Sequence, residues 1–470
     1  MIPVSVLYFI IFLEGYIVLS TELLAIRLLI PFTGSGTDTV SIIIAAVLLP
    51  LSFGYFAGGR FKKRCAKGKA RTVRGKLIFN LVLSAVILTF GLSYVFLDGA
   101  FDITRKTLGT SNRLVLTTLY AFLFVVIPVY LLGQTVPLIS NYFSRDRLSA
   151  IAGRILFFST LGSFAGAIFS TLIFMTLLGV HHTASITIGC MALLVFVLAR
   201  KKTSGSVLAS LACLAITLFL NSNAAMEHLN IVSNNRYSVV QVESDGYGVR
   251  KMILNRTSAS TIYEGTPEPY MAYNLFIEDN FLASLEGEGE KKSILVLGAG
   301  GFTLGRRDEK NDYVYVDIDP TLKAITEEKL LQEKLPPNNK YVAMDARAYL
   351  LQTDETYDVI VLDLFRDPVS VHENLNTQEF FTSVRNHLKK GGVMVANYWA
   401  SPTFSDTYSR NLDFTLRSVF PLLNRQVIDI FDVWKREKDW HNIIYSYVHH
   451  TEPLHAYTDM KNTIIYDKPL

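Results

Sequence analysis

Before about residue 222 the chain returns repeatedly to apolar runs of roughly 16 to 27 residues, each near the roughly 20 that a helix needs to cross a bilayer. They read as spans near 4–30, 38–58, 77–97, 114–134, 156–179, 183–200 and 206–221, the last one short. The 50% apolar content of the 470 residues is concentrated there, and the remainder has the make-up of an ordinary globular protein. The first run is too long, too poor in early positive charge and too lacking in a small-residue cleavage site for a signal peptide, so it is expected to stay.

Nine Lys or Arg fall from Arg60 to Lys76, so the net charge of +4 is a local feature. A basic loop between spans marks the cytoplasmic side. Without interleaved aromatics it does not read as a nucleic-acid patch, and no nucleic-acid partner is expected. Arg145, Arg147 and Arg154, and then Arg200 to Lys202, fall on the same side by count, which puts the chain after a seventh span on the opposite side.

Glu14, Glu22 and Arg27 interrupt the first run. At about 100° per residue, Glu14 and Glu22 lie about 80° apart and Glu22 and Arg27 about 140° apart, a poor intrahelical pair. A cation or proton site is one reading; pairing with another helix, or snorkelling of Arg27 to the interface, is the plainer one. Gly162, Gly166 and Ser170 recur at four-residue spacing and predict close helix packing. Pro128 and Pro137 are expected to kink or end the fourth span. His181 and His182 read as a solvated loop. Cys65, Cys190 and Cys213 show neither disulfide nor zinc spacing, and no metal is expected.

From 223 to about 290 the pattern is β-rich, with YSVVQVES and GVRKMILN forming a hairpin around DGYG. A helix over PEPYMAYNLFIEDNFLASL and the charged link EGEGEKK follow. Then SILVLGA, a glycine turn, a helix, YVYVDID, the helix TLKAITEEKLL, YVAMD, the helix ARAYLLQ, DVIVLDLF, the helix TQEFFTSVRNHLKK and GVMVANYW alternate strand with helix. That alternation predicts an α/β Rossmann-like domain with a doubly wound parallel sheet, following a polytopic α-helical membrane domain. The divisions fall at 1–222, 223–290 and 291–470.

Ligands bind such sheets at the carboxyl ends of the strands. Asp317 and Asp319 close the second strand, Asp345 the third and Asp363 the fourth. The turn Gly298, Gly300, Gly301 has Thr303 where a dinucleotide fingerprint wants its third glycine. Asp317 is placed to accept from ribose hydroxyls and Asp345 from the exocyclic amine of adenine, which suits adenosine joined to sulfur.

GAGG at 298–301, VDIDP at 316–320, MDARAYL at 344–350 and YDVIVLD at 357–363 followed by Asp367-Pro368 resemble the spermidine synthase (polyamine aminopropyltransferase) family, in its membrane-fused bacterial form. The resemblance covers about 235–400 in the soluble part. It implies class I methyltransferase-type topology and transfer of an aminopropyl group from decarboxylated S-adenosylmethionine to putrescine or a related amine, releasing methylthioadenosine. It also implies Asp363 as the catalytic base, Gly298, Gly300, Gly301, Asp317, Asp345 and Ala346 on the nucleoside, and Tyr270 and Asp367, with Glu268 a weaker option, on the amine. Decarboxylated S-adenosylmethionine is then a co-substrate, with no permanently bound cofactor and some self-association. Gly301 and Phe302 replace the family's Asp-Gly, the segment Asn255 to Ala259 lacks its glutamine, Ala272 stands near its acid after the tyrosine, and one extra residue separates Asp363 from Asp367. A methyltransferase on the same fold, or a polyamine transporter or sensor with a nucleoside-binding regulatory domain, are the other readings. The expected place is the cell (inner) membrane, multi-pass, with the soluble half cytoplasmic because its substrate is made there.

Overall fold

Helices apolar on every face need a non-aqueous surround. Among the described residues of the computed structural model, six are long and apolar enough to cross a membrane: Val4–Thr33 (α1), Thr37–Gly59 (α2), Val73–Gly91 (α3), Arg113–Ser140 (α5), Ser149–Leu177 (α6) and Gly179–Leu198 (α7). Residues 3–61, 65–66, 69–70, 72–143, 148–266, 271–285, 289–364, 373–428 and 440–450 are described. Two compact units divide them, one ending at Ala259 and the other beginning at Ser260.

In the first unit the seventh apolar run forms Gly205–Leu220 (α8), shorter than the other six. Large side chains such as Leu48, Phe53, Phe56, Phe164 and Phe219 face outward, a belt that suits acyl chains and not water. Glycine sets the tightest contact. A Cβ on Gly162 would overlap the Phe12 carbonyl oxygen, and one on Gly166 would come 2.6 Å from that of Tyr16, so α1 and α6 meet backbone to backbone as the small-residue spacing predicts. Ser170 then donates to Ser20 Oγ at 2.8 Å.

Three expectations change here. The run 77–97 is two helices: α3 ends at Gly91, and Ser93 Oγ accepts from Phe96 N to start Tyr94–Leu108 (α4). Its buried Tyr94, Leu97 and Phe101 line one face, half-buried Asp98, Asp102 and Arg105 flank it, and Gly99, Ile103, Lys106 and Thr107 are exposed, a surface helix and not a span. His181 and His182 occupy the first turn of α7 and not a loop, and their Nε2 atoms lie 3.2 and 3.1 Å from Asn223 Oδ1. Glu14 is buried with no partner for its Oε1, against the plainer expectation of pairing with another helix, while Arg27 donates through Nε to the Asn235 carbonyl at 2.7 Å.

The prolines act as expected: α5 breaks at Gln134, between Pro128 and Pro137. Asn80 and Ser84 of α3 donate to the neighbouring carbonyls Leu131 O and Pro128 O at 3.0 and 3.2 Å.

After Asn223–His228 (α9) come Ile231–Asn234 (β1), Val239–Ser244 (β2), Val249–Leu254 (β3) and Thr257–Tyr263 (β4), a four-stranded sheet in that order. The predicted hairpin is present: β2 and β3 pair antiparallel, and Asp245 Oδ1 accepts from Tyr247 N and Val249 N across Gly246 and Gly248.

The second unit contains Ala272–Ile277 (α10), Ser293–Leu297 (β5), Asp312–Asp317 (β6), Leu322–Ile325 (α11), Asn339–Ala343 (β7), Ala346–Gln352 (α12), Tyr357–Leu362 (β8), Gln378–Asn386 (α13), Leu388–Ala400 (β9), Thr407–Val419 (α14), Asn424–Ile428 (β10) and His441–Val448 (β11). Its seven-stranded sheet has the order β10-β11-β9-β8-β5-β6-β7. Five strands are parallel, as the alternation predicts. The last two strands in the chain add antiparallel, β11 against β9 and β10 against β11, so the sheet is mixed and not wholly parallel. The expected helix after the glycine turn is absent; residues 299–311 run as turns, tied down where Tyr315 Oη donates to Leu304 O at 2.7 Å. Leu295, Leu297, Ile360, Leu362, Met394 and Ala396 are buried with Phe380, Phe381, Leu416 and Phe420 of the covering layer.

Candidate active site

Strand order reverses between β5 and β8, the place where doubly wound sheets bind ligands. The chain leaves β5 at Gly298, which has φ +93°, and a Cβ there would overlap the carbonyl oxygen of Asp363 at the end of β8. Only glycine meets both conditions. Gly298 N donates to Val316 O of β6 at 2.8 Å and Asp363 N to Leu297 O of β5 at 2.9 Å, so the ends of β6, β5 and β8 are locked together.

Gly300 also has positive φ, whereas Gly301 is a packing position: a Cβ would lie 2.5 Å from Leu330 Cδ2 and 2.7 Å from Ser260 Cβ. Gly301 N donates to Ser260 Oγ at 2.8 Å, and Thr303 Oγ1 accepts from Asn274 Nδ2 at 2.8 Å. Ser260 and Asn274 thus pin the loop, and nothing in their sequence context singles them out. Phe302 is buried, edge-on to Tyr315 and Tyr341.

Asp317, at the end of β6, accepts from Ala299 N through Oδ2 and from Asp319 N through Oδ1, each at 3.2 Å. Its carboxyl is partly accessible, yet burial pushes it up to about 6 against the pull of those amides. Asp319 is a turn former, accepting from Thr321 N and Oγ1 at 3.0 and 2.7 Å. Asp345 caps α12, accepting from Ala348 N at 2.9 Å through Oδ1, with Ala346 buried beside it. Met344 N donates to Asp317 O at 2.8 Å, which brings the third strand end against the second.

Asp363 receives two side-chain donors: Tyr273 Oη at 3.0 Å on Oδ2 and Asn397 Nδ2 at 3.1 Å on Oδ1. Burial raises this carboxyl to about 6, and the two donors hold it below where burial alone would take it. Burial and the neighbouring Asp363 charge keep the Tyr273 phenol well above its ordinary range, so it remains a donor. Sequence reasoning missed both partners. Asn397 had a signal, a lone amide in the apolar strand VMVANYW; Tyr273 had none beyond following Tyr270 by three residues in sequence.

The glycine loop, Asp317, Asp345 and Asp363 therefore converge at adjoining strand ends. Tyr270, Asp367 and Glu268 lie outside the described residues. Among those described, no group of three His, Cys, Asp or Glu could hold a metal ion.

Residues 284–430 match the spermine/spermidine synthase domain family. A probable polyamine aminopropyl transferase of Bifidobacterium longum is 31% identical over 163 residues, 34% of this chain and 36% of that protein. Polyamine aminopropyltransferase 2 of Aquifex aeolicus is 23% identical over 310 residues, 61% of this chain and 60% of that one. A probable spermidine synthase structure from Corynebacterium glutamicum has a TM-score of 0.39 at 23% identity, covering 45% and 77%. The chain spans only about a third of the first curated relatives it matches.

Proposed function

We propose, from the premise that residues 284–430 form a spermine/spermidine synthase domain, that the chain is a membrane-bound polyamine aminopropyltransferase. It would move the aminopropyl group of decarboxylated S-adenosylmethionine to putrescine or a related amine. The observation that carries the reading is Asp363: a carboxylate raised to about 6, held by Tyr273 and Asn397, beside a glycine loop and a second strand-end acid.

An amine near neutral pH is an ammonium and has no lone pair to offer. Asp363, ionised above about pH 6, takes one of its protons. The freed nitrogen attacks the aminopropyl carbon bonded to the sulfonium. As the N–C bond forms, the C–S bond breaks with its electron pair going to sulfur, and neutral methylthioadenosine leaves. In this reading Gly298, Gly300 and Gly301 give the donor a close backbone approach, Asp317 accepts from the ribose hydroxyls, and Asp345 with Ala346 meets the adenine. Tyr270 and Asp367 would hold the far end of the amine.

The proposed divisions are a membrane part over 1–222, a β-rich lead-in over 223–290 and the catalytic part over 291–470. A multi-pass location in the cell membrane and self-association belong to the same reading. A cytoplasmic catalytic half would sit beside the donor's own pool; the distribution of charge argues the other way, as developed below.

The test uses detergent-solubilised full-length protein with either decarboxylated or ordinary S-adenosylmethionine and a panel of amines. Methylthioadenosine that requires both the decarboxylated donor and an amine, and that is lost in Asp363→Asn, supports the reading. Formation of S-adenosylhomocysteine instead, or silence with every amine, overturns it.

A further inference from the structure

We infer that the chain beyond α8, with the catalytic half, lies on the non-cytoplasmic side of the membrane. Helix ends and contacts within the first unit carry this assignment, independently of the proposed reaction.

Each bundle end is identified by the helix termini it gathers. At one end α2 finishes at Gly59, α3 starts at Val73, α5 finishes at Ser140, α6 starts at Ser149, and α7 finishes at Leu198. Arg74 Nε donates to Leu198 O there, tying the start of α3 to the finish of α7. In sequence, the three basic stretches flank these termini: nine Lys or Arg from Arg60 to Lys76 with no acid among them, then Arg145, Arg147 and Arg154, then Arg200, Lys201 and Lys202. At the opposite end the short connections carry Arg105, Lys106 and Arg113, of which Arg113 pairs with Asp38 at 2.7 Å and Arg105 donates to Phe32 O at 2.7 Å. Lys and Arg crowd the cytoplasmic loops of membrane proteins, so the first end is cytoplasmic.

The segment after α8 packs on the second end at four separate places. Arg27 Nε, near the finish of α1, donates to Asn235 O. Asn234 O lies 3.0 Å from where a Cβ on Gly179 would stand, at the start of α7. Asn223 Oδ1 meets His181 and His182. Arg256, in the turn between β3 and β4, pairs with Asp98 and, at 2.9 Å, with Asp102 of α4. At about 1.5 Å per residue the sixteen residues of α8 cover about 24 Å. Thr217 in its last turn bonds Thr89 in the last turn of α3 at 3.1 Å, so α8 runs beside α3 to the same end. Among the described residues no later helix is long and apolar enough to return.

The expectation of a cytoplasmic catalytic half rested on substrate supply alone. If the proposed reaction is right, its donor is a cation that does not pass a hydrocarbon core unaided, so a transport step must precede the transfer.

Cysteine reporters in the full chain test the sidedness, with Cys65, Cys190 and Cys213 replaced by alanine. Tyr247→Cys sits in the exposed β2–β3 turn, Lys106→Cys on α4 and Lys201→Cys after α7, all at accessible positions. With a membrane-impermeant maleimide on right-side-out bacterial spheroplasts, Tyr247→Cys and Lys106→Cys are expected to label before lysis and Lys201→Cys only after it. Protection of Tyr247→Cys until lysis overturns the inference, whatever the other two reporters do. Protease treatment of the unsubstituted chain in the same spheroplasts gives the readout without any substitution: loss of the C-terminal half supports the assignment and its protection until lysis refutes it. Neither readout involves activity, so failure of this inference and failure of the proposed reaction are distinguishable.

Discussion

Replacing Tyr273 by phenylalanine deletes one of the two donors on Asp363 and little else. The phenol lies 3.0 Å from Oδ2, with Asn397 at 3.1 Å on the other oxygen, so the variant leaves the carboxylate one bond instead of two. A hydrogen bond to a charged group contributes about 1.5–3 kcal/mol, and one pKa unit corresponds to about 1.4 kcal/mol. The Asp363 carboxyl, about 6 in the intact chain, is therefore expected to rise by about one to two units. The sign follows from the role: the base works ionised, so the acidic limb of the pH profile of kcat/KM moves to higher pH by that amount. Activity lost near pH 6.5 should return near pH 9. The measurement is methylthioadenosine release by solubilised protein across pH, with Asn397→Ala expected to move the limb the same way. An acidic limb that stays in place, or an equal loss at every pH, would refute the argument, because the phenol would then support structure and not the carboxylate's charge.

Gly298→Ala combines a left-handed backbone with an overlap on the Asp363 carbonyl, and about 2–5 kcal/mol of stability should be lost in denaturant titration; a loss under about 1 kcal/mol contradicts the locked strand ends. Asp317→Asn should weaken methylthioadenosine binding by about 10–100-fold in calorimetry. Because burial sets Asp317 at about 6, the parent's affinity should decline as pH falls through that value, whereas the variant's stays flat; parallel pH profiles would remove Asp317 from the ribose. Gly162→Ala places a methyl on the Phe12 carbonyl, and thermal unfolding in detergent should show about 1–3 kcal/mol of destabilisation, with no change meaning that α1 and α6 are not in backbone contact.

Much of the plan was legible in one dimension. Apolar runs longer than any soluble strand or helix needs marked α1, α2, α3, α5, α6 and α7, and period and punctuation marked β5 to β9, because bilayer thickness and the pleat act on each segment alone. The acids Asp317, Asp345 and Asp363 were legible because each closes a strand whose carboxyl end must face the ligand edge. The split of 77–97 at Ser93 was harder to see, since an amphipathic helix following a span continues its apolar count.

What only tertiary structure decided involves partners distant in the chain. Tyr273 and Asn397 reach Asp363 across 90 and 34 residues, Ser260 and Asn274 pin a glycine loop that starts at Gly298, and β10 and β11 join the sheet antiparallel. The same holds for the bundle end on which β1 and the turn between β3 and β4 pack, the observation from which the side of the catalytic half is inferred. Local pattern records what a segment needs buried. Which side chain meets its need depends on a fold that brings remote residues within about 3 Å, a distance at which hydrogen bonds form and which sequence spacing does not encode.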